Sequence, residues 1–159
     1  MKHFPLLFTF NDIVLGNRFV ASVTTHGRVL ASDEDEGWWM YGVQPGDLAT
    51  GGKTFAEARA EFRKTFMSVL IDIAQEAKTS ESFAQEIERF FKDVNVPTDR
   101  EWKAALAEVR SGRIAGASAT NDLPVLPADS PRFVEVKVLE LEAITPQNNA
   151  HESTVALAA

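Results

Sequence analysis

Residues 28–58 read RVLASDEDEGWWMYGVQPGDLATGGKTFAEA. The run Val29-Leu30-Ala31 is apolar, and Asp33-Glu34-Asp35-Glu36-Gly37 follows as a charged segment closed by glycine. Trp38 to Val43 is then aromatic and β-branched, bounded by Pro45-Gly46. Strands carry such residues and turns carry acidic residues with glycine, so the stretch predicts a strand, a solvated hairpin tip and a second strand. Side chains alternate along a strand, which places Trp38 and Trp39 on opposite faces, one in a core and one more exposed. Gly51-Gly52 and then Thr54 with Glu57 three residues on form a capping box, predicting that a helix starts there.

Outward on the C-terminal side, Phe55, Ala58, Phe62, Phe66, Val69, Leu70, Ile73 and Ala77 recur at spacings of three and four. That spacing predicts one long amphipathic helix. Met67 and Ile71 widen its apolar stripe beyond what one sheet need cover. A second helix is expected from Ser80 or Ser82, burying Phe83, Ile87, Phe90, Phe91 and Val94. Pro97 ends the connection, and Thr98 with Glu101 predicts a third helix carrying Trp102, Leu106 and Val109 and closing at Ser111-Gly112.

On the N-terminal side, Phe4 to Phe10 reads as an edge strand rather than a signal peptide, because Pro5 and Asn11 interrupt the apolar run. Phe19 to Ser32 reads as two strands joined by a turn at His26-Gly27. Residues 114–131 read as an irregular crossing loop, residues 132–144 as a late strand, and the last fifteen residues as a patternless tail. The expected fold class is therefore α+β. A small, mainly antiparallel sheet packs on a long helix, with two further helices over 80–111 and a late C-terminal strand. One domain spans residues 1–144, and a disordered tail is expected over 145–159.

Composition narrows the function. The chain has 159 residues, 45% hydrophobic and 25% charged, as in an ordinary globular domain. It contains no cysteine, which removes disulfides, thiolate metal sites and cysteine nucleophiles. No run approaches the roughly twenty apolar residues of a membrane helix, and a cytoplasmic location is expected. The formal net charge of −7 disfavours a phosphate backbone and favours a basic partner or plain solubility.

Gly51-Gly52-Lys53-Thr54 resembles the end of a phosphate-binding loop. Five residues separate Gly46 from Gly52 where the motif needs four, and Asp47 stands where the motif wants glycine, so the segment reads as a helix cap. The run Asp33 to Glu36 lacks the alternating ligands of a calcium loop. His3, His26 and His151 fall at no metal-ligand spacing, and no Gly-x-Ser-x-Gly elbow is present. No catalytic residue, metal or cofactor is expected. The candidate contacts for a partner or a second copy are Asp33, Glu34, Asp35, Glu36, Trp38, Trp39, Met67 and Ile71.

The order Val29-Leu30-Ala31, Asp35-Glu36-Gly37, Trp38 to Val43, Pro45-Gly46, and Gly52-Lys53-Thr54 with Glu57-Ala58 resembles the HicB-type antitoxin domain. The resemblance covers about thirty to fifty residues. It implies a partially degraded RNase H-like sheet backed by a helix, without nuclease activity, that neutralises a small basic RNA-cleaving toxin and forms dimers or larger assemblies. Two features depart from that pattern. Asp47 stands where the family often has cysteine, and no paired helices follow Arg132 to build an operator-binding module, which counts against DNA binding. The alternative expectation is a stand-alone, self-associating member of the superfamily with no toxin partner.

Overall fold

The structure is a computed structural model, and it describes residues 1–113, 120–139 and 151–159. The fold is α+β: a mainly antiparallel open sheet of seven strands packed against three helices. The strands are β1 (Lys2–Leu15), β2 (Val20–Glu34), β3 (Gly37–Gln44), β4 (Ala49–Gly52), β5 (Val125–Leu126), β6 (Phe133–Val138) and β7 (His151–Ala158). The helices are α1 (Phe55–Glu76), α2 (Ser80–Lys92) and α3 (Val96–Arg110).

β1 and β2 form a long hairpin in continuous register from Lys2↔Asp33 to Leu15↔Val20. Its turn is closed by Gly16 N–H donating to Phe19 O (2.9 Å), with Arg18 in the left-handed region at φ 67°. The sheet runs β4-β3-β2-β1-β7-β5, and β6 joins β2 beside β3. β3 pairs with residues 28–34 of β2 and β6 with residues 21–26, so the two share one edge of β2 end to end.

Three strand expectations are corrected by this topology. The N-terminal segment is an interior strand rather than an edge strand, because β7 occupies its second edge. β2 is a single strand with no turn at His26-Gly27. Gly27 is instead the junction between β3 and β6, where a Cβ would lie 2.3 Å from Gln44 O. The expected tail forms β7 over residues 151–158, pairing with β1 from Leu6↔Leu157 to Asp12↔His151. Val155 and Ala156 are buried there, one on each face, which a hydropathy pattern dominated by alanine does not announce. Residues 145–150 of that tail lie outside the described residues. So do 114–119 of the expected crossing loop, which carries the short β5 further on, and 140–144 of the late strand, whose described part is β6.

Alternation divides the sheet into two faces. On one, Phe4, Leu6, Phe8 and Phe10 meet Phe55, Phe62, Phe66 and Leu70 of α1 and Phe83 and Ile87 of α2. Phe8 packs edge-on to Phe62 (5.1 Å between centroids) and Phe66 (5.3 Å), and Phe10 to Phe66 (4.7 Å). Such pairs add about 0.5–1.5 kcal/mol each to their area burial. On the other face, Leu7, Leu30 and Val43 meet Trp102, Ala105 and Leu106 of α3. The chain changes face at the end of β3, where Asn95 N–H donates to Val43 O (3.1 Å) and Gly46 N–H to Asp93 O (3.0 Å).

The helix starts follow local chemistry. Thr54 caps α1, its Oγ1 accepting from Glu57 N–H (3.1 Å) while the Glu57 carboxylate accepts from Thr54 N–H (3.3 Å). Thr79 and Ser82 make the same reciprocal pair for α2. α3 departs from expectation: Asn95 caps it, accepting from Thr98 N–H (3.1 Å), and Pro97 lies inside its first turn. Proline suits that position, since its missing N–H would have no helical partner there.

Ending the chain before His151 is expected to leave β1 with an open edge and to uncover Phe8 and Phe10. The loss should be at least about 3 kcal/mol by urea denaturation, the worth of one well-buried Val or Leu with its neighbours. An unchanged midpoint would show that β7 does not belong to the cooperative unit.

Candidate functional site

The β2–β3 hairpin carries most of the residues singled out in the sequence. Its turn places Asp35 and Glu36 at the exposed tip, with Gly37 at φ 140°, a conformation suited to glycine. Asp33 and Glu34 lie half-buried just behind them. The two tryptophans diverge as alternation requires. Trp38 is 9% exposed and packs on Phe4 (5.6 Å) and Phe55 (5.2 Å), so it belongs to the core and is withdrawn as a partner contact.

Trp39 is 38% exposed on the opposite face. Its ring stacks on Tyr41 at 6.0 Å and 13°, and lies against Gly51 of β4, where a Cβ would be 3.1 Å away. Tyr41 Oη donates to Glu34 Oε1 (3.1 Å). Burial raises the Tyr41 pKa, and the bond to Glu34 with the charges of Glu34 and Glu101 raises it further, so the phenol stays protonated. The result is a rigid aromatic ledge with a carboxylate at its back and acidic residues at its end.

Met67 and Ile71 are not brought to this hairpin. Met67 is half-buried and packs against the main core with Val69, Ile73 and the α2 residue Phe90. The extra width of the α1 stripe at Met67 is thus covered within the chain. Ile71 is half-buried and packs in neither core cluster.

A second polar constellation escaped the sequence reading. Arg28, 5% exposed, lies at the edge of α3 with its guanidinium carbon 5.0 Å from the centre of the Trp102 ring. Its Nη1 is 2.7 Å from Asp99 Oδ1, an ion pair without an aligned hydrogen bond, and Asp99 Oδ2 is 2.6 Å from Lys103 Nζ. Trp102 Nε1–H donates to Leu6 O (3.2 Å), which ties the helix to β1. Burial lowers the Arg28 pKa, the nearby Arg132 lowers it further, and Asp99 opposes both. Burial pushes Asp99 upward, but the bond from Lys103 and the charges of Arg28 and Lys103 outweigh it and hold the carboxyl below its usual 3.8. The available signal was a carboxylate, an indole and an amine at 99, 102 and 103 on one helical face, with a lone charge before Val29-Leu30-Ala31.

Comparison with protein-family models, with curated proteins and with solved structures returned no match. Among the described residues no three His, Asp or Glu side chains gather as a metal site. No helix among them is long and apolar enough to cross a membrane.

Two outcomes test this geometry. Trp38→Ala is expected to cost about 3–5 kcal/mol, the range for a buried aromatic, whereas Trp39→Ala should stay near 1 kcal/mol or below in the same urea titration. Equal losses would contradict the assignment of faces. Asp99→Asn should cost about 3–5 kcal/mol near neutrality, because it strands the buried Arg28 charge. Asp99 titrates lower in the folded protein than in the unfolded chain, so the unfolded chain binds more protons in acid. Its stabilisation is present above about pH 4 and is lost as pH falls through the folded value. Stability measured against pH should therefore fall less steeply below pH 4 in Asp99→Asn, and parallel acid limbs would refute the linkage.

Proposed function

We propose that this chain is a HicB-like, non-catalytic protein-binding domain whose partner is a small basic protein. The observation that carries the reading is the ledge of Trp39 and Tyr41 with Glu34 bonded to it, on the hairpin whose exposed tip is Asp35 and Glu36. Aromatic faces attract guanidinium and ammonium groups, and carboxylates beside them add charge-assisted hydrogen bonds. Tryptophan and tyrosine are also the residues that most often dominate interface energetics. The run of strand, acidic turn, aromatic strand, loop and boxed helix over residues 28–58 supports the family part of the proposal. An RNA-cleaving toxin of a toxin–antitoxin pair is the partner that the resemblance implies.

Self-association is the second reading, in which the chain acts alone as an oligomer. It is favoured by β6, which pairs with β2 and carries Phe133 and Val138 exposed. An unpaired strand edge with apolar side chains is a template for a second chain.

Co-purification from the native host separates the two readings. A basic protein of under about a hundred residues should be recovered, the size that a single small domain implies. Asp35→Lys with Glu36→Lys, and separately Trp39→Ala, should each weaken its capture at least about tenfold while lowering the melting temperature by no more than about 4 °C. Recovery of the protein alone, as a dimer by light scattering, would replace the partner reading with self-association.

A further inference from the structure

Among the described residues, the second face of the sheet is only partly covered. α3 lies over Leu7 and Leu30, and beyond it the strands present Thr9, Asn11, Ser22, Thr24 and His26. At the boundary a cavity of about 190 Å³ opens between β2, β5 and β6. Leu7, Leu126 and Phe133 supply apolar walls, and His26, Ser130 and Arg132 supply polar groups. Leu126 and Phe133 remain 42% and 41% exposed, so apolar surface faces water at a concave site. The volume is below the about 300–1,000 Å³ of pockets for drug-sized ligands, and it equals the liquid volume of about six waters. It suits a molecule the size of one substituted ring.

The polar groups set the charge of that molecule. His26 lies against Phe133 (4.6 Å between ring centroids), and its Nδ1 is 3.4 Å from Thr9 Oγ1. Burial lowers the His26 pKa, so near neutrality the imidazole is uncharged and its ring walls the cavity. Arg132 is exposed and, among the described residues, has no ion-pair partner. Asp99 is already shared by Arg28 and Lys103, and Glu135 is 3.2 Å from Lys137. Neither acidic residue of the adjoining segment, Asp129 or Glu135, lines the cavity. In a chain of net charge −7, the apolar, ring-sized cleft is thus lined by an arginine without an ion-pair partner among the described residues.

We propose that the cleft between β2, β5 and β6 binds a small carboxylate with a planar, ring-sized apolar body. The ring enters between Leu126, Phe133 and the His26 imidazole, and the carboxylate pairs with Arg132, a geometry in which arginine can offer two parallel N–H donors. The site lies away from the Trp39 ledge and does not rest on the partner reading.

Benzoate is the probe, benzamide its uncharged isostere, and the full chain is titrated by amide-resonance NMR. Benzoate should give saturable shifts confined to residues 7–9, 26–27, 126, 130, 132 and 133, with a Kd of the order of 1 mM, as expected for a fragment of this size. Benzamide should bind at least about fivefold more weakly, and Arg132→Gln should weaken benzoate about tenfold while leaving benzamide unchanged. Because Arg132 is exposed, the variant should fold, and an unchanged amide spectrum outside the cleft verifies it. Leu126→Ala should weaken both probes by opening the apolar wall. Shifts that do not saturate, shifts that map elsewhere, or equal affinity for benzoate and benzamide in the wild-type chain would overturn the proposal.

Discussion

The antiparallel ladder between β1 and β2 is the constraint on which the other elements depend. Its register runs unbroken from Lys2↔Asp33 to Leu15↔Val20. Along β1 that register sends Phe4, Leu6, Phe8, Phe10 and Val14 to one face and Leu7 to the other. A slip of one residue would exchange the faces, leaving the phenylalanines under α3 and polar Thr9 and Asn11 under α1. The outer edge of β2 is then divided between β3 and β6, with Gly27 at the division because no side chain fits against Gln44 O. The same ladder therefore fixes the aromatic core, the hairpin that carries Trp39 and the walls of the β2–β5–β6 cleft.

The two faces are held by different physics. The α1 and α2 face is closed by interlocking phenylalanines, which bury much area but specify helix position only through shape. The α3 face has a smaller apolar patch and ends at a buried charge. Any other docking of α3 would leave Arg28 without Asp99, and an unpaired buried charge costs several kcal/mol. The pair thus discriminates among placements of α3 even where its net contribution is small. Trp102 works in the same direction, since its N–H has a partner only when the indole reaches Leu6 O. Arg28 stands where α3 stops covering the sheet, between Leu30 beneath the helix and His26 beside the open cleft.

What was legible in the sequence is what local chemistry specifies. The Thr54/Glu57 box, the acidic turn before Gly37, the opposite placement of Trp38 and Trp39, and the three helices were all readable from spacing and residue type. Two misreadings share one origin: a local signal was real, but a tertiary contact gave it another meaning. Gly27 marks a close backbone approach rather than a turn, as glycine within a strand often does. Met67 widens the α1 stripe because it packs against the main core of the same chain, as a half-buried neighbour of that cluster. Arg28 and Asp99 are 71 positions apart in the chain, and no period or motif links them. The HicB-type resemblance concerns the local run of residues 28–58, so it carries no information about β6, β7 or the cleft.

β7 shows most directly how context decides. Ser153-Thr154-Val155-Ala156-Leu157-Ala158 has too much alanine to be a strong strand by propensity. Yet β1 is apolar on both faces along Leu6 to Phe8, and such a strand requires a neighbour on each edge to bury its backbone polar groups. Once β7 is in place, β4 is a poor template for indiscriminate strand addition, with only four residues, two of them glycine. The rigid side chains offered beside the short β4 edge are Trp39 and Tyr41, stacked and braced by Glu34. Side chains fixed in advance by stacking and a hydrogen bond have little conformational entropy left to lose on contact with another molecule.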